Sequence, residues 1–218
     1  MSPPQAPAFA DLPANLPIFP LTGVLLLPRG RLPLNIFEKR YLAMTEDALK
    51  SERLIGMVQP QAGEGDTGEP ALYRTGCAGR MTSFSETEDG RYLITLTGLA
   101  RFDIARELPQ DRLYRRIVPD WQPYRGDFDE DPQPIERERL LAALKPFFRR
   151  HNITAEWDAV EATPDDRLVT TVAMAAPFAP NEKQALLEAR GLVERAQLLT
   201  ALVEMAAHGG ESADAARH

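Results

Sequence analysis

The chain carries one cysteine, Cys77, and three histidines, His151, His208 and His218, among 218 residues. A lone cysteine excludes an internal disulfide and a cysteine-based zinc cluster, and it suits a reducing compartment. No histidine lies near Cys77 in sequence to activate its thiol, so it reads as a packed strand residue. His151 follows Arg149 and Arg150 at the end of an expected helix, where a basic side chain suits the helix dipole. His208 and His218 lie at or beyond the last expected helix, and no catalytic or metal-binding set emerges. The sequence also lacks a GxxxxGK[ST] phosphate cradle, a GxSxG nucleophile turn, an SxxK pair and an HExxH zinc helix. No run approaches the roughly 18 apolar residues of a membrane-spanning helix. Residues 1–10 have neither the basic start nor the apolar core of a secretory signal. The expectation is a soluble, cytoplasmic protein that is not an enzyme, with no cofactor, no metal and no membrane partner.

What is present is charge and a globular share of apolar residues. Thirty-two acids against 25 lysines and arginines give a formal charge of −7, a field that repels phosphate backbones and makes nucleic acid an unfavoured partner. Apolar residues make up 44% of the chain, enough for one large domain or two small ones.

Between Pro17 and Pro33 prolines punctuate short apolar runs, which reads as brief strands joined by bends. Phe37, Tyr41, Thr45, Ala48 and Leu49 then recur at helical spacing over 38–50. Leu54 to Val58 is an expected buried strand, and 59–70 an expected surface loop; its formal GxGxxG (Gly63, Gly65, Gly68) is opposed by acids and by Pro70. Leu72 to Ser85 reads as a strand, Glu88-Asp89-Gly90 as a tight hairpin turn, and Tyr92, Ile94 and Leu96 as the buried side of the next strand, broken at Gly98. Tyr114 to Trp121 is a last extended run. Pro123 to Pro134, dense in acids and prolines, reads as a linker, and Asp127 to Asp131 as a solvated part of it without a calcium-loop pattern.

Helical periods follow. Leu140, Leu141, Leu144, Phe147 and Phe148 share a face. Thr163-Pro164-Asp165-Asp166 predicts a helix start with a hydroxyl cap, and Leu168, Val172 and Ala175 an inward face. Two shorter helices are expected over 181–189 and 192–207. The chain thus divides into a disordered tail (1–14), a β-rich part (15–125), a helical part (126–208) and a second disordered tail (209–218).

Three blocks in order, Leu16-Pro17-Ile18-Phe19-Pro20-Leu21, Val24-Leu25-Leu26-Leu27-Pro28 and 32–41 (LPLNIFEKRY), resemble the opening of the amino-terminal, substrate-binding domain of Lon proteases. Residues 89–102 (DGRYLITLTGLARF) and 177–188 (PFAPNEKQALLE) are similar to later blocks of the same family, so the resemblance covers roughly 15–207. It implies an α+β fold, a β-rich PUA-like pseudo-barrel with one helix followed by a small helical bundle. The chain ends before the ATPase or protease modules of such enzymes, so enzymatic activity is not implied.

The resemblance implies a protein-interaction module for exposed or unfolded polypeptide, working with or without a separate protease or chaperone. An RNA-binding PUA-like module is the alternative. Apolar grooves and open strand edges accept many sequences. Leu25, Leu27, Leu34, Phe37 and Tyr41 are therefore candidate peptide contacts, with simple core positions as the competing reading. Glu38, Arg40 and Arg101 are candidates for a polar contact or for an ion pair tying the first helix to the barrel. Arg112, Arg115 and Arg116, with Glu107 and Asp111 nearby, read as a charged sheet edge.

Overall fold

The computed structural model describes residues 8–64, 70–129 and 134–208. The β-rich half comprises β1 (Leu16–Pro20), β2 (Arg31–Ile36), α1 (Lys39–Leu49), β3 (Leu54–Val58), β4 (Pro60–Glu64), β5 (Pro70–Leu72), β6 (Thr75–Glu86), β7 (Tyr92–Glu107) and β8 (Arg116–Asp120). The helical half follows with α2 (Arg137–Arg150), α3 (Trp157–Ala162), α4 (Asp165–Ala175), α5 (Pro180–Glu188) and α6 (Leu192–His208). The class is α+β, as the sequence implied.

β7 organises the sheet because it is long enough to serve three neighbours. β6 runs along one of its edges from Tyr92 to Asp103. The other edge takes β2 along Tyr92–Thr97 and then β8 along Asp103–Glu107. β8 also pairs with β1, β1 with β3, and β3 with β6, so the five strands β7, β6, β3, β1 and β8 close into a ring, with β2 outside it. Among the described strands only β1 and β3 are parallel neighbours.

Alternation along the strands sends side chains to two cores. Leu16, Ile18, Leu54, Val58, Ala78, Phe102 and Ile117 fill the ring. Phe102 is its centre: a Cβ on Gly76 would lie 2.5 Å from the Phe102 ring, so the small residue makes room for the large one. Phe19, Ile55, Met57, Ile94 and Leu96 point the other way and join α1 and the bundle in one larger core.

The strand around Gly98 is continuous, contrary to the expected break. A Cβ there would lie 1.9 Å from the Leu27 carbonyl oxygen. The Arg29 N–H donates to Gly98 O, and the Gly98 N–H to Gly30 O, both at 2.8 Å, so the segment before β2 lies directly against β7. The glycine marks a close approach of backbone to backbone. The hairpin at 87–91 forms as expected, with Gly90 at φ +77°.

Several local expectations shift. Residues 8–14, expected as disordered tail, pack on the far side of the ring: Phe9 stands edge-on to Phe128 at 5.7 Å, and the Trp121 indole donates to Pro13 O at 3.1 Å. Residues 1–7 and 209–218 lie outside the described residues, as do Gly65, Gly68 and Asp131. The start of the expected linker is a 3₁₀ segment, Gln122–Phe128, seated on β7. Thr163 does not cap α4; its hydroxyl donates to Ala159 O at 2.7 Å, closing α3, and α4 starts at Asp165. The inward face of α4 carries Leu168, Val169, Val172 and Ala173, with Ala175 exposed. Part of the expected loop at 59–70 is strand, since β4 pairs with β5.

Candidate functional site

Two clefts follow the junction between the β-rich half and the bundle. The first, about 760 Å³, lies between segment 23–33 and α4, with Val24, Leu32, Pro33, Thr171 and Met174 among its walls. The second, about 840 Å³, runs from Pro28 and Asp127 to the α5–α6 turn. Arg29, Asp166 and Thr170 line both, so the two adjoin.

Segment 23–33 is fixed by a polar network that periodicity does not reveal. The Gly23 N–H donates to Gln59 Oε1 at 3.1 Å, and Gln59 Nε2 donates to Pro180 O and to Gln184 Oε1. Gln184 in turn donates to Thr75 O and to Glu188. Lys183, 8% exposed, donates from Nζ to Gly23 O at 2.9 Å. Burial holds its ammonium below the ordinary lysine range. The inward side of α5 thus carries Lys183 and Gln184 beside Leu186 and Leu187.

β2 forms the outer wall. It pairs with β7 alone among the described residues, which leaves its second edge open. Pro33 has no N–H to give, so it belongs at a position whose donor would point away from β7; alternation then points the N–H and C=O of Arg31 and Asn35 outward as well. Arg31, Leu32 and Pro33 line the first cleft. At the far end the strand leads to Phe37, which is 64% exposed, and nearby Leu93 and Phe84 are also exposed.

The five candidate peptide contacts therefore do not form one surface. Leu25, Leu27 and Tyr41 are buried in the larger core, with the Tyr41 ring 4.1 Å from Phe19. Leu27 is wholly enclosed, whereas Leu25 lines the first cleft and Tyr41 a smaller one on another face of the β-rich half. Leu34 is half-buried on β2, and Phe37 is exposed.

The polar candidates also separate. Glu38 and Arg40 pair with each other at 2.8 Å in solvent, with the Arg40 guanidinium over the Tyr41 ring, so they do not tie α1 to the barrel. Arg101 is 3% exposed and pairs with Asp127 (Nη2–Oδ1 2.7 Å), a residue the sequence placed in a solvated linker. Its other donors reach Leu187 O at 3.0 Å and Ala189 O, the last carbonyls of α5. Arg195 adds Leu186 O at 2.8 Å, and burial, then the nearby Arg101 charge, lowers its pKa to about 10. Two arginines thus cap α5, and Arg101 clasps the β-rich half to the bundle.

Cys77 is buried, and burial pushes its thiol far above the usual range, so it stays protonated and inert. Arg112, Arg115 and Arg116 pair with Asp47, Glu107 and Asp111 respectively. Among the described residues no group of acids, histidines and cysteines is arranged to hold a metal ion, and no helix is long and apolar enough to cross a membrane.

This arrangement of ring, outer strand and helical half has counterparts. The family described as the ATP-dependent protease La (LON) substrate-binding domain matches residues 15–205, and the chain belongs to that family. It is 31% identical to a Lon protease of Anaeromyxobacter dehalogenans over 211 residues, 93% of this chain and 24% of that protein. It is also 31% identical to Lon protease 2 of Myxococcus xanthus, over 93% of this chain and 25% of that one. The chain therefore spans about a quarter of the length of these relatives. Among solved structures, a Lon N-terminal domain protein from Xanthomonas campestris superposes with a TM-score of 0.62 at 21% identity, covering 86% of this chain and 97% of that one. The N-terminal domain of Mycobacterium avium complex Lon protease gives a TM-score of 0.61 at 16% identity, covering 87% and 97%.

Proposed function

We propose that this chain is a non-enzymatic, cytoplasmic polypeptide-binding module that takes extended, partly apolar segments along the open edge of β2 and into the adjoining cleft. One observation carries the reading: a strand with a free edge forms the wall of an apolar cleft and leads to an exposed phenylalanine. Main-chain hydrogen bonds to such an edge are indifferent to sequence, and alternate side chains of the ligand enter the cleft. Membership of the substrate-binding family supports it. A bound segment would pass to a separate protease or chaperone.

Binding should be weak. Ordering each residue of a disordered ligand costs about 1 to 2 kcal/mol, so a short contact reaches micromolar dissociation constants at best. Titration of a labelled unfolded peptide against the whole chain tests the reading. Phe37→Asp and Leu34→Asp should weaken binding with the circular dichroism unchanged, and Leu27→Asp should unfold the protein. Absence of binding by the folded wild-type chain would sink it. The RNA-binding alternative has less support, because the first cleft has no aromatic ring among its described walls on which a base could stack.

A further inference from the structure

Several arginines elsewhere on this molecule hold a carboxylate, among them Arg101, Arg112, Arg115, Arg116, Arg137 and Arg139. The first cleft is lined by an excess of cations. Arg29, Arg31, Arg167 and Lys183 line it against a single acid, Asp166, whereas four acids face four arginines in the second. Among the described residues none of those four cations pairs with a carboxylate; Arg29 donates to Asp129 O and Lys183 to Gly23 O. This local reversal of sign sits in a chain of net charge −7.

We propose that this cleft selects extended polypeptide in which acidic side chains flank an apolar residue, with Lys183 the recessed anchor for one carboxylate. The inference rests on the polypeptide-binding reading and names the substrate class of that site. Lys183 has one acceptor for three N–H donors, in a position nine-tenths buried, where a counter-charge acts through a lower dielectric than at the surface. Burial lowers the pKa of Lys183. Arg31 and Arg167 stand at the exposed rim and meet carboxylates on either side, while Leu32, Pro33 and Met174 receive the apolar side chain between them. Four cations are more than one terminal carboxylate can answer, so an internal acidic segment fits better than a chain end.

Three fluorescent hexapeptides test this on the whole chain. One alternates glutamate and leucine with both ends capped, the second replaces glutamate by glutamine, and the third is the glutamine peptide with a free carboxyl end. The capped glutamate peptide should bind roughly tenfold tighter than its glutamine counterpart, with an advantage that shrinks as salt rises. Lys183→Met should remove most of that advantage, with circular dichroism confirming that the variant, which also loses the bond to Gly23 O, stays folded. Arg167→Gln, at an exposed position, should reduce it less and leave the melting temperature unchanged. Equal binding of the two capped peptides would overturn acidic selection and leave polypeptide binding standing. Preference for the free-carboxyl peptide alone would also overturn it, in favour of chain-end capture. Binding of no peptide by the folded chain would remove both readings.

Discussion

Arg101 and Asp127 form a nearly dry charged pair: the Arg101 backbone N–H and Nε both reach Asp127 Oδ2, at 2.8 and 3.0 Å, and the side chains are 3% and 7% exposed. Removing one partner leaves the other charge buried and uncompensated, so Arg101→Ala or Asp127→Ala should each cost about 3 to 5 kcal/mol of stability. Arg101→Ala combined with Asp127→Ala should cost less than the sum of the two single changes. Urea unfolding of the three variants measures it; additive losses would refute the coupling.

Gly98→Ala should prevent folding or lower the urea midpoint severely, because the added methyl meets the Leu27 carbonyl, which backbone hydrogen bonds on both sides hold in place. Gly23→Ala is the control. Nothing lies within 4 Å of its Cβ position, and only the φ of +74° opposes it, at a cost of about 1 to 2 kcal/mol.

Ala179→Ser should stabilise by about 1 kcal/mol. Ala179 is the N-cap of α5, with Pro180 at the first helical position; its N–H already donates to Glu182 at 2.7 Å, and a hydroxyl would supply the missing half of the capping box. Asn181 cannot serve as the cap with Gln184 as its partner, because Gln184 is buried and engaged with Gln59 and Thr75. Thermal unfolding of the single variant checks this.

Tyr114 gives a pH test. Its burial first, and its hydrogen bond to Asp47 (2.7 Å) second, push its pKa up to about 12. The unfolded phenol ionises near pH 10, so the fold prefers the protonated form. That contribution is fully present below about pH 10 and is lost as pH rises through the folded value. The stability difference between wild type and Tyr114→Phe should therefore shrink across about pH 10 to 12. A constant difference would show that the hydroxyl does not titrate as described.

Strand and helix positions were legible wherever a period was clean, as in Tyr92, Ile94 and Leu96 or Leu140, Leu144 and Phe147. Burial of particular apolar residues was not: Phe37 and Tyr41 are both aromatic and close in sequence, yet the first lies past the end of β2 and before α1, exposed, and the second enters the core from α1. The site was harder still. Asp127 looks like any acid in a proline-rich stretch, and only the 3₁₀ segment across β7 turns it toward Arg101. Lys183 and Gln184 sit in a polar run whose inward direction is set by the helix start at Pro180. The one available signal was that their neighbours Leu186 and Leu187 require that same side of α5 to face the core.

The ring is closed by β1 and β8, where Leu16 stands opposite Ile117. During synthesis the β6–β7 hairpin can form early from adjacent sequence, but β1 gains its second neighbour only once residue 120 has left the ribosome. Arg101 waits longer, since its carbonyl acceptors lie at 187–190. Folding is thus governed by contacts distant in sequence, which makes it slow relative to a helical bundle of similar size and leaves Leu16 and Ile18 without their full partners on the nascent chain. In stopped-flow refolding, the Trp121 signal beside Phe102 should rise in the slow, final phase, because that indole reports ring closure.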